Sequence, residues 1–225
     1  VGDSIHGEDR LASLVDVAII VFESIGLVIS YGEHGLGLLE FYTELSNILL
    51  LVSCIVSLVS RLIARRRGGG IPHAVWVLRF VATACVTLTF VTVVAVLAPM
   101  MSRDGIMSGY VAMLLMGSML YMHLICPLLA IFSFVRLEPR DDARGHETLV
   151  AIAPTVVYAI VTVTLNLLRV IEGPYPFLRV YEQPVWASVL WLVVMVAAAW
   201  GIAVLVRRLN DRFSKDGLVS AGRGD

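Results

Sequence analysis

One threonine and one histidine, each set in an apolar stretch, carry the reactive chemistry this sequence offers. Thr43 stands near the start of an apolar run, and His123 is the one histidine of five that lies inside such a run. A threonine hydroxyl is a weak nucleophile until a base takes its proton. A neutral imidazole accepts a proton near neutral pH. Were a hydroxyl such as that of Thr43 to meet His123, the two would suit acyl-transfer hydrolysis, in which the imidazole takes the hydroxyl proton, returns it to the leaving alcohol and repeats the cycle with water. Three more polar side chains stand in the apolar runs: Glu23, Asn47 and Asn166. Side-chain amides can donate to an oxyanion in a dry site, which suits Asn47 or Asn166. A carboxylate such as Glu23 can orient an imidazole.

Each of these residues has a plainer reading. Threonine in a membrane helix commonly bonds the carbonyl four residues earlier, and Thr83, Thr87, Thr89 and Thr92 show how frequent the type is here. A histidine can pack by bonding a neighbouring helix. Asp16 and Arg79 lie within about two turns of an arginine-rich surface, where they can snorkel to headgroups or pair. Glu44 falls at the opposite end of its run, within reach of water.

The elements that must position these residues follow from hydropathy. The chain has 225 residues, 58% hydrophobic and 16% charged, with a mean hydropathy of +0.86; soluble domains carry about 25% charged residues. Six apolar windows, near 14–31, 41–62, 74–99, 109–135, 149–171 and 184–206, match the ~20 residues that cross a ~30 Å bilayer core. Helices keep backbone groups paired in lipid, and the continuous runs lack the alternation of a barrel. The expected fold class is therefore all-α, a polytopic membrane protein of six transmembrane helices. It forms one domain over 1–212, followed by a disordered polar tail over 213–225.

Lys and Arg set the orientation. One side holds Arg10, Arg61, Arg65, Arg66, Arg67, Arg136, Arg140, Arg144, Arg207, Arg208, Arg212, Lys215 and Arg223; the other holds Arg103 and Arg179, with Arg169 close by. The positive-inside rule makes the first side, with both termini, cytoplasmic. A net charge of -1 gives no basic field for nucleic acid. Cys54, Cys85 and Cys126 all lie in apolar runs, with neither a disulfide framework nor metal-ligand spacing. His123 has no second strong ligand at i+3 or i+4, so no metal or cofactor is expected.

Counted from the arginine anchors at ~1.5 Å per residue, Thr43 stands about 27 Å above the cytoplasmic face, Asn47 about 21 Å and His123 about 20 Å. Asn166 comes out near the height of Thr43, and Glu23 near that of His123. These form one layer in the outer half of the bilayer, with a gap of about 7 Å between Thr43 and His123 to be closed by tilt or side-chain reach. Pro127 cannot donate to the carbonyl of His123, which leaves that carbonyl open and favours a kink.

Three stretches occur in order: Phe41-Tyr42-Thr43, Met122-His123-Leu124-Ile125-Cys126-Pro127 and Gly173-Pro174-Tyr175-Pro176-Phe177-Leu178. They resemble the androgen-induced protein family and its bacterial six-span relatives. The resemblance implies an intramembrane hydrolase, because animal members cleave fatty-acid esters of hydroxy fatty acids with a threonine nucleophile and a histidine. By position these match Thr43 and His123. The residues that follow Thr43 (Glu44, Leu45, Ser46, Asn47) look more like the bacterial relatives, so the animal substrate is not carried over and a bacterial cytoplasmic membrane is the implied location. A site in the outer half favours lipid-like esters whose acyl chain arrives laterally from the bilayer. Two other classes stay open. One is a small-molecule or ion carrier with Glu23, His123 and Arg79 lining a pathway, although no inverted repeat or matched pair of broken spans is visible. The other is a scaffold or sensor that buries polar residues to specify helix packing.

Overall fold

The computed structural model describes residues 2–102, 105–138, 140 and 145–221, with backbone alone at 2–6, 8, 106 and 214–221. Arg103, Arg144, Arg223 and the side chain of Lys215, counted above, lie outside the described residues, as does the end of the polar tail at 222–225. The described residues are mostly helical and contain no strand. The helices are α1 (Gly2–His34), α2 (Tyr42–Arg67), α3 (His73–Met100), α4 (Ile106–Leu115), α5 (Leu120–Leu137), α6 (Glu147–Leu167) and α7 (Val185–Ala221). All except α4 are long and apolar enough to cross a membrane.

Helix α3 is the axis of the bundle, packing on α2, α5, α6 and α7. Its sequence is apolar on every side, as a fully surrounded helix requires. Trp76, Phe80 and Phe134 of α5 stack with centroids 5.3 to 5.7 Å apart. Gly68, at φ 70°, ends α2 in the left-handed conformation and donates its N–H to Ala64.

The window expected near 109–135 is divided in the structure. Residues Ile106–Leu115 form the separate helix α4, and the fourth long helix starts only at Leu120. Ten residues span about 15 Å, half of a bilayer core. Met116 is extended and Gly117 takes φ 54°, which ends α4. Helix α4 then folds back onto the end of α3 so closely that a Cβ on Gly109 would collide with the Ala98 carbonyl.

Two prolines act on the helices that carry the site. Just before each, the helix winds in π register, at Val93–Leu97 ahead of Pro99 and at Leu120–Ile125 ahead of Pro127. There the N–H of Ala98 reaches Val93 and that of Cys126 reaches Tyr121, five residues back. Proline comes next with no N–H, so the open carbonyls are those of Val94 and Met122. The Tyr110 hydroxyl donates to Val94 at 3.0 Å and the Asn47 amide to Met122 at 3.3 Å. The opening expected at the carbonyl of His123 is thus moved one residue earlier by the π register.

At the arginine-rich end, Asp16, Arg61, Arg79 and Glu138 meet inside the bundle. Arg79 lies 3.2 Å from Asp16 and 3.1 Å from Glu138. Arg61 lies 3.7 Å from each of the same two acids and 2.7 Å from Asp9. Of the two readings open to Asp16 and Arg79, pairing prevails over snorkelling, since both side chains are fully buried.

Candidate active site

Thr43 is the second residue of α2. The first N–H groups of a helix have no intrahelical acceptor, and a threonine there has no preceding turn to bond. Mid-helix residues behave otherwise. Thr87 donates to Thr83 at 2.6 Å and Thr164 to Ile160 at 2.7 Å, the ordinary back-bond. The Thr43 hydroxyl is left for tertiary partners, and it lies 3.2 Å from Nε2 of His123.

The other imidazole nitrogen settles the direction of that bond. Nδ1 of His123 is 2.7 Å from the carbonyl of Met113, near the C-terminal end of α4. A carbonyl only accepts, so Nδ1 carries the hydrogen and Nε2 presents its lone pair to the Thr43 hydroxyl. The break between α4 and α5 makes this possible, because it turns a carbonyl of the last turn of α4 toward His123. The 7 Å height gap closes for a related reason. Arg61 pairs with Glu138, two residues beyond Arg136. The two counting anchors are therefore offset by about 3 Å, and side-chain reach covers the rest.

Tyr175 completes the group and was not singled out as a site residue from sequence, although it lies in the loop that carries the resemblance. Its hydroxyl accepts the N–H of Thr43 at 3.3 Å and lies 3.4 Å from the Thr43 hydroxyl. Burial pushes its phenol up to about 12, so it stays a neutral donor through the physiological range. The loop is held down by Phe177 and Leu178, both buried. Tyr175 stacks on Phe177 at 5.3 Å and meets Phe41 edge-on at 6.1 Å. Gly173, at φ 89°, lies so close to the Leu178 backbone that a side chain would be crowded there.

The remaining sequence candidates occupy supporting places. Asn47 donates its amide to the carbonyls of Thr43, at 2.8 Å, and Met122. It therefore ties the residue that carries the hydroxyl to the segment that carries the imidazole. Asn166 donates to Ile171 at 3.0 Å and accepts from the N–H of Val180 at 2.9 Å, pinning both ends of the Tyr175 loop. Glu23 lies beside the Cys126 thiol with neither oxygen hydrogen-bonded. The orienting position on Nδ1 belongs to the Met113 carbonyl. Arg79, the third member of the imagined carrier pathway, is enclosed by its acids at the other end of the bundle.

Thr43 forms part of the wall of two cavities. One, of about 50 Å³, lies between α2, α3, α6 and α7 and is lined chiefly by apolar side chains including Leu88, Val93, Leu192 and Met195. The other, of about 260 Å³, contains His123 and is lined by His34, Glu44 and Arg179, with four methionines in its wall. Among the described residues no group of three or more His, Cys, Asp or Glu is placed to hold a metal ion. Comparison with family models, curated proteins and solved structures returns no match, so the chemistry is read from the geometry alone.

Proposed function

We propose that this protein is an intramembrane hydrolase of lipid-like esters, with Thr43 as nucleophile and His123 as general base. The observation that carries the reading is the 3.2 Å approach of the Thr43 hydroxyl to Nε2 of an imidazole whose other nitrogen is committed to a carbonyl. Nε2 takes the hydroxyl proton as Oγ1 attacks the ester carbonyl carbon. The developing oxyanion receives a hydrogen bond from the Tyr175 hydroxyl, which itself accepts the N–H of Thr43 at the positive end of α2. Nε2–H then protonates the leaving alcohol, which therefore departs on the His123 side, into the cleft lined by His34, Glu44 and Arg179. The acyl group remains on Thr43 with its chain in the apolar cavity. Water, deprotonated by His123, attacks the acyl-threonine and releases the acid.

The arginine bias supports a cytoplasmic basic end with both termini, which sets Thr43 in the outer half of the bilayer. A bacterial cytoplasmic membrane fits the residues around Thr43 that resemble bacterial six-span proteins. The test is labelling of the purified protein with a fluorophosphonate probe. Phosphonylation is expected on Thr43 of the wild type and absent from Thr43→Ala and His123→Ala. A folded wild type that takes no label removes the nucleophile from the reading.

A further inference from the structure

A third hollow lies beyond Tyr42, on the opposite side from the apolar pocket. It runs between α2 and α6, measures about 420 Å³ and is lined by Leu45, Leu49, Val157, Val161 and Leu165 among others. Helices α2 and α6 both pack on α3 but not closely on one another, so the groove opens along the side of the bundle. Val157 and Val161 are 58% and 49% exposed on this apolar flank. Tyr42 and Tyr158 line both the groove and the pocket. The two spaces are therefore separated by two side chains.

Single hydrogen bonds hold that partition. The Tyr42 hydroxyl lies 2.7 Å from the hydroxyl of Thr155, and Tyr158 donates to the Glu40 carbonyl at 2.7 Å. The rings meet edge to face at 5.1 Å. The other way into the pocket is the cleft that contains His123, whose wall includes His34 and Arg179 beside its methionines. Along the groove a chain lies chiefly against apolar side chains, with Glu40, Ser46 and Thr162 also among the lining.

We propose that the α2–α6 groove is a binding site for one unbranched acyl chain and passes it to the Thr43 pocket when Tyr42 and Tyr158 turn aside. Turnover at the end of this route rests on the hydrolase reading, whereas chain binding does not.

The experiment uses full-length protein in phosphatidylcholine vesicles and measures the ratio of turnover of a long-chain p-nitrophenyl ester to that of p-nitrophenyl acetate. Val161→Trp, which fills the groove from the lipid side, is expected to lower the ratio at least about tenfold. Val193→Trp, an equally bulky change at an exposed α7 position away from the groove, is expected to leave it unchanged. Tyr158→Phe, which frees the partition, is expected to raise it roughly two- to tenfold, the range of one net hydrogen bond. An unaltered ratio in both Val161→Trp and Tyr158→Phe overturns the groove. If the wild type turns over neither ester, the hydrolase reading has failed, and the groove is judged by photolabelling with a diazirine-tailed fatty acid. Adducts at Leu88 and Met195 of the pocket are then expected in wild type and Val193→Trp and depleted in Val161→Trp; equal labelling in all three refutes the route.

Discussion

Of the polar groups buried among the described residues, the Asp16–Arg79 and Thr43–His123 groups lie at opposite ends of the bundle, and burial does not tell them apart. Asp16 and Arg79 are fully enclosed, while Thr43 and His123 are 6% and 4% exposed. What differs is whether the group closes on itself. At the basic end, Asp9, Asp16 and Glu138 face Arg61, Arg65 and Arg79, so three carboxylates balance three guanidiniums. Four different parts of the chain contribute, and none of Asp16, Arg61, Arg79 or Glu138 lines a cavity with Thr43. At the other end no ion pair among the described residues joins Thr43, His123 and Tyr175, the contacts of Thr43 with His123 and Tyr175 are 3.2 to 3.4 Å long, and Thr43 borders two cavities. A buried ion network whose opposite charges pair with one another holds helices in place. A polar pair that faces empty space is arranged for something that arrives.

The largest expected effect sets these two ends against each other. Removing one partner of a buried ion pair leaves a charge uncompensated, at a cost of about 3–5 kcal/mol. Arg79→Leu should therefore lower the thermal midpoint in detergent steeply, because two acids lose the nearer of their two cations at once. Thr43→Ala should change stability by about 1 kcal/mol or less and abolish phosphonylation and ester turnover. If Arg79→Leu is as stable as wild type, or Thr43→Ala retains turnover, the division between holding and reacting ends is wrong.

That division was partly legible in the residues. The six long helices followed from hydropathy, because a ~20-residue apolar run has few other fates. Thr43 and His123 stood out because their types suit acyl transfer and because three stretches resemble a family that uses such a pair. The contact itself was not legible. It depends on the interruption at Met116 and Gly117, which reads as part of one continuous apolar run and instead sets a carbonyl of α4 against Nδ1 of His123. Glu138 was missed because it follows the last turn of an apolar run and reads as a surface residue, yet with Asp16 it is one of two acids that Arg61 and Arg79 share. One available signal was passed over. A threonine at the second position of a helix cannot back-bond to a preceding turn, which sets Thr43 apart from the threonines of α3.

A smaller effect sharpens the reacting end. Loss of one oxyanion donor lowers kcat by roughly 10²–10³-fold. Tyr175→Phe keeps the ring that stacks on Phe177 and meets Phe41, and removes only the hydroxyl near Thr43. Turnover should fall by about that factor with the thermal midpoint nearly unchanged. Equal fractional losses of rate and of folded protein would assign Tyr175 to loop packing alone.

The smallest effect is a pH dependence confined to the basic end. Burial pushes the Glu138 carboxyl up, but the guanidiniums of Arg79 and Arg61 outweigh it and hold the group below its ordinary 4.5. A carboxyl whose folded value lies below its unfolded value binds fewer protons when folded, so stability rises with pH through that interval. The contribution is complete above about pH 4.5 and is lost as pH falls toward the folded value. Thermal midpoints of wild type should therefore drop more steeply below pH 4.5 than those of Glu138→Gln, which has no proton to gain there. Subtracting the two curves removes carboxylates that do not face Arg61 or Arg79. Parallel curves would mean that the Arg79 and Arg61 charges do not reach Glu138, and the closed network would lose one of the two acids that join its two arginines. A difference limited to acid pH, with the Thr43 phosphonylation rate at neutral pH equal in both proteins, would keep the two ends of the bundle energetically separate.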